Sequence, residues 1–289
     1  MPPTLVEQRA PLAGQRAVAE FERAVFLGVG ISRVDRADVI RFVIESGKHR
    51  RKAVIDNVNV HAMNLARTNP RFAAALDEAD VVFCDGYGVK VAAKLAGVHL
   101  GERMTPPDWI DTLFATCARE RLSLFFLGDE EPVVAAVAAE VARRHRGARI
   151  AGWHHGFFDL EGEGNRRVLE MINAAAADII VTGMGMPRQE IWAHDNVGAL
   201  DRGVIIAAGG LFRMYLGLVR RCPRWLSRLC LEWAWRLAQE PRRLFARYAR
   251  GNAAFLARIV VSMAALSLRS LTERSRDLQP SRDGRLLPP

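Results

Sequence analysis

The residues best placed for chemistry lie in residues 79–90, where a buried strand gives way to a tight turn and a helix start. The apolar run 81–83 is typical of a strand covered on both faces. Asp85 follows it, and Gly86 lets the backbone bend and approach a ligand closely. Because ligands of open α/β sheets bind in the crevice beyond the strand ends, Asp85 is the first candidate for chemistry. The alternative is that Asp85 caps the helix predicted to begin near Tyr87.

Two amides and an arginine are further candidates for ligand binding. Asn57 and Asn59 end the apolar run 53–60, and their side chains could hydrogen-bond a sugar or a nucleobase. As isolated residues, such amides are more often turn formers. Arg103 precedes Thr-Pro-Pro-Asp at 105–108, a helix-entry sequence that could direct an arginine and backbone donors at an anion.

One glycine pair indicates an anion site, and another disfavours a dinucleotide cofactor. Residues 183–190, Gly-Met-Gly-Met-Pro-Arg-Gln-Glu, follow a buried strand and open a helix, which makes Gly185 a candidate for anion binding. The Gly-Val-Gly at 28–30 lacks the third glycine of a dinucleotide fingerprint, so a nicotinamide enzyme is disfavoured. His154 and His155 would point to opposite faces of a strand, and the cysteines show no Cys-x-x-Cys spacing. No metal site is indicated.

The surrounding pattern predicts the elements that must position these residues. Strand-like runs alternate with amphipathic helices through residues 23–216, which indicates an α/β body with a mostly parallel, Rossmann-like sheet and helices on both faces. The runs predicted as strands are 24–31, 53–60, 80–84, 122–127, 149–153, 178–182 and 204–208. The stretches predicted as helices are 35–46, 108–121, 132–146, 165–176 and 189–200.

Beyond residue 216 the pattern changes to helical sequence rich in arginine and tryptophan. Residues 217–250 are therefore predicted to form a helical appendage to the α/β body. The chain carries a net charge of +9 and a pI near 10.1, and arginines are concentrated in this segment. Such charge implies a polyanionic partner, which could be nucleic acid, an acidic membrane surface or a phosphate-bearing substrate.

The chain ends carry weaker signals. Residues 251–271 are mostly apolar with basic flanks, and two interpretations have equal weight: a helix on a membrane surface, or a helix packed on the body or on a second subunit. Residues 1–22 are predicted to be a loose lead-in and 272–289 a disordered tail. Because the sequence lacks a secretory signal and any run of ~18–20 uncharged apolar residues, we expect a cytoplasmic protein.

A set of short motifs occurs in order along the chain and carries a family resemblance. They are Asn59, the stretch 79–88, Leu-Gly at 127–128, residues 152–157, Pro-Arg-Gln-Glu at 187–190, Gly-Gly at 209–210, Arg-Cys-Pro at 221–223, Glu-Trp-Ala-Trp-Arg at 232–236 and Glu-Pro-Arg-Arg-Leu at 240–244. Together they resemble the WecB/TagA/CpsF glycosyltransferase family over residues 24–250.

The resemblance implies an inverting glycosyltransferase of cell-surface polysaccharide biosynthesis. Such an enzyme moves a sugar from a UDP-sugar, here UDP-N-acetylmannosamine or UDP-glucose, onto an undecaprenyl-diphosphate-linked sugar. It implies a peripheral protein on the inner face of the plasma membrane that binds an anionic membrane surface and can form homo-oligomers. Metal independence is expected as well, because the sequence lacks the Asp-x-Asp pair of metal-dependent transferases.

The resemblance also implies roles for individual residues. Asp85 matches the general base, which the chemistry requires because the acceptor hydroxyl must lose its proton. Gln189 and Arg103 match substrate-binding positions. The arginines that match or adjoin positions for the UDP diphosphate are Arg236, Arg243 and Arg247. Asn57 stands where the family usually has threonine, which leaves the identity of donor and acceptor open.

The competing interpretation is a non-catalytic, Arg- and Trp-rich nucleic-acid-binding protein built on an α/β body. Interleaved tryptophans and arginines would suit stacking on single strands. Against it, the sequence contains no recognised nucleic-acid motif, and the basic residues follow a body with a crevice signature of its own. We therefore expect a UDP-sugar and a polyprenyl-diphosphate-linked acceptor as partners, and no nucleic acid.

Overall fold

The computed structural model describes the backbone of residues 21–277, with the side chains of these residues except 243, 247 and 263–277. Most of the predicted lead-in, residues 1–20, and the end of the predicted tail, residues 278–289, lie outside the described residues. Within the described part, strands and helices alternate through the body and helices alone follow it, as the sequence pattern predicts.

A six-stranded parallel sheet forms the centre of the body, with strand order β4-β3-β8-β7-β5-β6. Its strands are β3 (Lys52–Val58), β4 (Val81–Cys84), β5 (Ser123–Gly128), β6 (Arg149–His154), β7 (Ile179–Gly183) and β8 (Gly203–Ala207). The inner strands read as continuous apolar runs because side chains on both faces are buried. Ile55 packs into the core on one face, for example, while its neighbour Val54 packs into the core on the other.

The run 24–31 differs from its prediction as a single strand. It folds as a hairpin of β1 (Arg23–Phe26) and β2 (Val29–Ser32), paired antiparallel in a small separate sheet. Leu27 and Gly28 form the turn, with φ of 49° and 84°. A two-residue turn with positive φ at both positions matches the twist of the flanking strands, so this glycine serves the hairpin.

Helices cover both faces of the sheet. On one face lie α1 (Arg36–Lys48), α5 (Pro106–Arg119), α6 (Glu131–Arg144) and α9 (Leu211–Tyr215). On the other lie α2 (Val60–Thr68), α3 (Pro70–Glu78), α4 (Tyr87–Leu95), α7 (Glu163–Ala175) and α8 (Arg188–Asn196), followed by a 3₁₀ turn at Val197–Ala199. Helices α2 and α3, which connect β3 to β4, have no counterpart among the stretches predicted as helices.

The appendage consists of α10 (Arg224–Arg228), α11 (Glu232–Gln239) and the long α12 (Pro241–Asp277). Residues 251–271 continue α12 from the appendage. This helix packs back on α2, where the Asn64 side chain donates to the Gly251 carbonyl at 2.8 Å and Phe255 is buried in the core. The opposite side of α12 exposes Leu256 and Val260. Of the described helices, none is long and apolar enough to cross a membrane.

Candidate active site

A large cavity opens at the carboxyl ends of the parallel strands. Its volume is about 1320 Å³, and the loops after β3, β4, β5, β6, β7 and β8 line it together with α10 and α11. This is the edge of an open α/β sheet at which ligands bind. We call the part formed by the strand-end loops the floor, and the part formed by α10 and α11 the roof.

Asp85 lies on the floor, directly after β4. Its backbone N–H donates to the carbonyl of Val58 at 2.8 Å, which extends the pairing of β3 and β4 by one residue. Burial, followed by the negative charge of Glu232, raises the pKa of the Asp85 carboxyl to about 7, against the opposing influence of Arg103 and other neighbours. A carboxyl with such a pKa is suited to accept a proton at neutral pH.

Asn59 orients the Asp85 carboxylate. Its Oδ1 accepts from the backbone N–H groups of His61 and Ala62, at 3.0 and 3.1 Å, and so caps α2. The amide nitrogen is thereby turned toward Asp85, and Nδ2 lies 3.4 Å from Oδ2. Asn59 therefore caps α2 and contacts Asp85, while its hydrogen bond to a sugar or a nucleobase stays a prediction.

Asn57 and Gly86 occupy the same end of the floor. Asn57 is buried and donates from Nδ2 to the carbonyl of Ala207 at 2.8 Å, which ties β3 to β8 at the cavity. Its Oδ1 has no hydrogen-bond partner among the described residues, and the residue lines the cavity. Gly86 adopts φ of 117°, a conformation that favours glycine, and thereby turns the chain from Asp85 into α4.

Gln189 lies beneath the cavity and joins two glycine loops. Its Oε1 accepts from the backbone N–H groups of Gly185 and Gly209, each at 3.1 Å, and its Nε2 donates to Glu190 Oε1 at 2.8 Å. The side chain is fully buried, whereas Gly185 lines the cavity. These contacts fix the two glycine loops, and the substrate contact that the resemblance implies for Gln189 stays a prediction.

Two buried carboxyls, Asp56 and Glu190, influence each other electrostatically near Gln189. Burial raises the pKa of Glu190 to about 7, and burial together with the charge of Glu190 raises the pKa of Asp56 well above its ordinary range. Both carboxyl oxygens of Asp56 lack a hydrogen-bond partner among the described residues. Burial therefore disfavours the charged form of both carboxyls, and the charge of Glu190 disfavours that of Asp56 further.

Arg103 is held by the protein on several sides. Its Nη1 donates to Asp108 Oδ2 at 3.0 Å, and its Nη2 donates to Ser227 Oγ at 3.0 Å and to Glu232 Oε2 at 2.8 Å. The guanidinium also lies 4.6 Å from the centroid of the Tyr87 ring. Arg103 lines the cavity as predicted, but in this arrangement it fastens the appendage to the body.

Three arginines of the roof line the cavity without an ion pair to any described carboxylate. They are Arg224, Arg228 and Arg236. The Arg236 guanidinium rests against the floor, because a β-carbon placed on Gly210 would come within 3.2 Å of its Nη2. Arg243 and Arg247 lie on α12, and their side chains are outside the described part. Arg224 and Arg228 were not singled out from the sequence, although their spacing places them on one face of a helix.

Phe157 is a second feature that sequence reasoning missed. Its side chain is 71% exposed and lines the cavity, on the loop after β6. The loop itself is held in place, since the Gly156 N–H donates to the Asp129 carbonyl at 2.8 Å and the Arg188 guanidinium donates to the carbonyls of Gly156 and Phe158. A fixed loop therefore presents an aromatic face to the cavity. The motif at 152–157 contributed to the family resemblance but indicated no role for this ring.

Side chains able to hold a metal ion do not cluster in the part of the chain that the structure describes. No group of three or more histidine, cysteine, aspartate or glutamate residues there has the required arrangement. The cations facing the cavity are arginines.

Fold and site define an α/β enzyme with a ligand crevice at its strand ends, completed by cationic helices. Residues 24–269 match the glycosyl transferase WecG/TagA/CpsF family. The chain belongs to this family, which confirms the resemblance seen in its motifs and favours an enzyme over the nucleic-acid-binding alternative.

Three similar bacterial proteins share one name, N-acetylglucosaminyldiphosphoundecaprenol N-acetyl-beta-D-mannosaminyltransferase. The one from Bacillus spizizenii is 32% identical over 178 residues, which cover 62% of this chain and 68% of the relative. Those from Bacillus subtilis and Staphylococcus aureus are each 27% identical, over 191 and 190 residues, and each alignment covers 66% of this chain and 73% of the relative.

Proposed function

We propose that this protein transfers a sugar from a UDP-sugar to a hydroxyl of a polyprenyl-diphosphate-linked sugar, with inversion at the anomeric carbon. One observation carries the proposal. On the floor, Asp85 has a pKa raised to about 7, and it faces a cavity whose roof holds arginines without ion-pair partners among the described carboxylates. A base and an anion-binding surface that line one cavity suit attack by a hydroxyl and departure of a diphosphate.

In the proposed reaction, the acceptor hydroxyl oxygen forms a bond to the anomeric carbon of the donor while its proton passes to Asp85. The bond between that carbon and the diphosphate oxygen breaks, and UDP leaves with the electron pair. Attack from the face opposite the leaving group inverts the anomeric configuration. Asn59 Nδ2, which lies 3.4 Å from Asp85 Oδ2, keeps the carboxylate turned toward the reacting hydroxyl.

The roof supplies the positive charge that the departing diphosphate requires. Arg236 faces Gly210 on the floor, so a diphosphate beside this glycine would meet a guanidinium and nearby backbone groups. Arginine binds phosphate oxygens through a planar pair of donors and keeps its charge at all relevant pH values. We infer that these arginines take the role that a divalent metal has in other transferases.

We place the donor nucleoside beside Phe157, which lines the cavity. There the exposed Phe157 ring offers a stacking surface for a nucleobase. For the sugars themselves, the names of the relatives favour N-acetylmannosamine as the transferred sugar and N-acetylglucosamine-diphosphoundecaprenol as the acceptor. UDP-glucose is the second donor to test.

A lipid-linked acceptor requires the cavity to open toward a membrane. Trp225 on α10 and Leu229, which directly follows this helix, are 65% and 62% exposed, and Arg224 and Arg228 of α10 line the cavity. Exposed tryptophan and leucine beside arginine are typical of a surface that lies in a membrane interface. We therefore propose a peripheral enzyme on the cytoplasmic face, with the roof against the lipid.

The test is transfer from radiolabelled UDP-N-acetylmannosamine and UDP-glucose to short-chain N-acetylglucosamine- and glucose-diphosphate-polyprenols, with and without EDTA. We expect one donor and acceptor pair to give product, retention of activity in EDTA, and inverted configuration by nuclear magnetic resonance of the product. Asp85→Asn serves as the inactive control. Absence of product from all pairs, with UDP binding by calorimetry also absent, would refute the proposal.

A further inference from the structure

Glu232 of α11 connects three parts of the site and has no role in the reaction described above. Its Oε2 accepts from Arg103 Nη2 at 2.8 Å and from Ser227 Oγ at 3.2 Å. Arg103 belongs to the body and is mostly buried, with 13% of its side chain exposed. A buried arginine needs carboxylate partners, and those available to Arg103 are Asp108 of the body and Glu232 of the appendage. This ion pair therefore fixes α11 against the body.

The position of Glu232 on α11 links the ion pair to the roof. Arg236 follows it by one helical turn, so the two side chains emerge on the same face of α11. Glu232 forms the ion pair with Arg103, and Arg236 contacts the Gly210 loop. A shift of α11 that broke the first contact would also move the second.

Glu232 also keeps Arg103 occupied near the proposed base. Both residues line the same cavity as Asp85, and Arg103 is directed to Glu232 and Asp108. Without Glu232, one face of the guanidinium would lose its carboxylate, and Asp85 is another acid near it. Resting on the proposed function, we propose that Glu232 is a positioning residue that docks the appendage and keeps Arg103 from pairing with Asp85, so that the base stays able to take a proton.

The charges around Asp85 give this proposal a definite sign. The negative charge of Glu232 raises the pKa of Asp85, whereas Arg103, the Asn59 amide and Arg236 lower it. The groups that face Asp85 are Asn59 at the start of α2, the neighbouring thiol of Cys84, Arg103 before α5, and Glu232 and Arg236 on α11. Burial raises the pKa of Cys84 to about 12, so this thiol is neutral in the relevant range.

Glu232→Gln removes a negative charge and frees Arg103, and both changes lower the pKa of Asp85. Because the reaction needs the carboxylate, wild-type kcat/KM should rise as the pH passes upward through about 7. In Glu232→Gln the midpoint of this rise should move to lower pH by on the order of one unit. The plateau should fall as well, because a weaker base abstracts the proton less effectively.

Two companion variants separate this role from a general loss of structure. Glu232→Asp keeps the charge and should keep the midpoint near that of the wild type. Arg103→Gln removes the positive charge that lowers the pKa of Asp85, so its midpoint should move to higher pH. If the substitutions acted only by breaking the contact between α11 and the body, the midpoints of Glu232→Gln and Arg103→Gln would move in the same direction. Glu130→Gln is the matched control. It also removes one carboxylate that lines the cavity and pairs with an arginine, Arg213 at 3.2 Å, but Glu130 is not among the charges that act on Asp85, so the midpoint should not move.

A direct titration makes the result independent of catalysis. The carbon signal of the Asp85 carboxyl, assigned with Asp85→Asn in aspartate-labelled protein, should titrate near pH 7 in the wild type and lower in Glu232→Gln. An unchanged midpoint in folded Glu232→Gln, or shifts of the same sign in Glu232→Gln and Arg103→Gln, would overturn the inference. If the wild type titrates as expected but transfers no sugar, the proposed function fails, and what remains of this inference is the effect of Glu232 and Arg103 on the charge of Asp85.

Discussion

The floor and the roof of the cavity satisfy their polar groups in opposite ways. On the floor, Asn59 and Gln189 give their polar atoms to backbone groups and neighbouring side chains of the protein. On the roof, Arg224, Arg228 and Arg236 find no carboxylate among the described residues. Asn59 and Gln189 are thus satisfied within the protein, and Asn57 Oδ1 is the floor atom without a described partner. The roof arginines, in contrast, carry charge that an added anion would balance.

We infer from this difference that the floor sets the geometry of the site and that the roof recognises negative charge. Side chains fixed by several hydrogen bonds can hold a reacting group to within a fraction of an ångström. Unpaired guanidiniums gain most when a phosphate arrives, because their interaction with it is charge-assisted. Substitutions on the floor should therefore lower turnover, and those on the roof should weaken donor binding along with it.

The largest effect is expected for Asp85→Asn. Asparagine keeps the size of the side chain but cannot accept the acceptor's proton, so kcat should fall by about 10²–10⁴-fold. Binding of UDP, measured by calorimetry, should remain at the wild-type level because the roof is intact. A variant with near-normal turnover would remove Asp85 from its role as base.

Arg236→Ala should give the next largest loss. Removing a charge-assisted contact worth about 1.5–3 kcal/mol should weaken UDP binding by roughly 10- to 100-fold and lower kcat as well. Arg242→Ala is the matched control, since Arg242 is exposed on the first turn of α12 and does not line the cavity. Equal losses of UDP affinity in Arg236→Ala and Arg242→Ala would show that positive charge anywhere on these helices suffices. The roof arginines could then not be distinguished from other surface arginines as a donor-binding site.

The strand-end position of Asp85 could be predicted because it depends on local signals. An apolar run, an acid and a flexible glycine lie within six residues of one another at 81–86, and the sheet then places them at its carboxyl edge. The body and the helical nature of the appendage were likewise visible as periodicity. The first strand-like run was wrongly assigned because a hairpin turn of Leu27 and Gly28 interrupts it without a change in hydrophobicity.

The partners of polar side chains could not be predicted, since they depend on contacts distant in sequence. Arg103 meets Glu232 across 129 positions, so an arginine expected to bind substrate is engaged within the protein. Gln189 is similar: its motif indicated a site residue, but only the fold shows that its oxygen accepts from two glycine loops. Motifs therefore indicated which residues gather at the cavity, but the partners of their side chains became visible only in the fold.

Gln189→Ala tests whether the floor depends on internal hydrogen bonds. The change leaves the N–H groups of Gly185 and Gly209 without their acceptor, which should cost about 1–3 kcal/mol of unfolding free energy. Loss of loop position should lower kcat by roughly tenfold. Thermal denaturation and steady-state kinetics measure the two effects. A raised KM for donor with unchanged stability would instead indicate the direct substrate contact first predicted from the sequence.

The smallest effect is expected at Phe157. This residue belongs to the floor, but its side chain is exposed, as are those of Arg224 and Arg228 on the roof. Its ring is 71% exposed on a loop held by Gly156 and Arg188, so it should contribute contact area to the donor nucleobase without affecting the proton transfer. Phe157→Ala should raise KM for the UDP-sugar by about five- to tenfold, equivalent to roughly 1 kcal/mol of stacking, with kcat unchanged. Leu95→Ala, an equally simple truncation of a side chain that is 64% exposed and away from the cavity, is its control. A fall in kcat at constant KM would instead show that the Phe157 ring helps to set the geometry of the reaction. Exposed side chains of this site could then no longer be assigned to donor binding on the basis of their exposure alone.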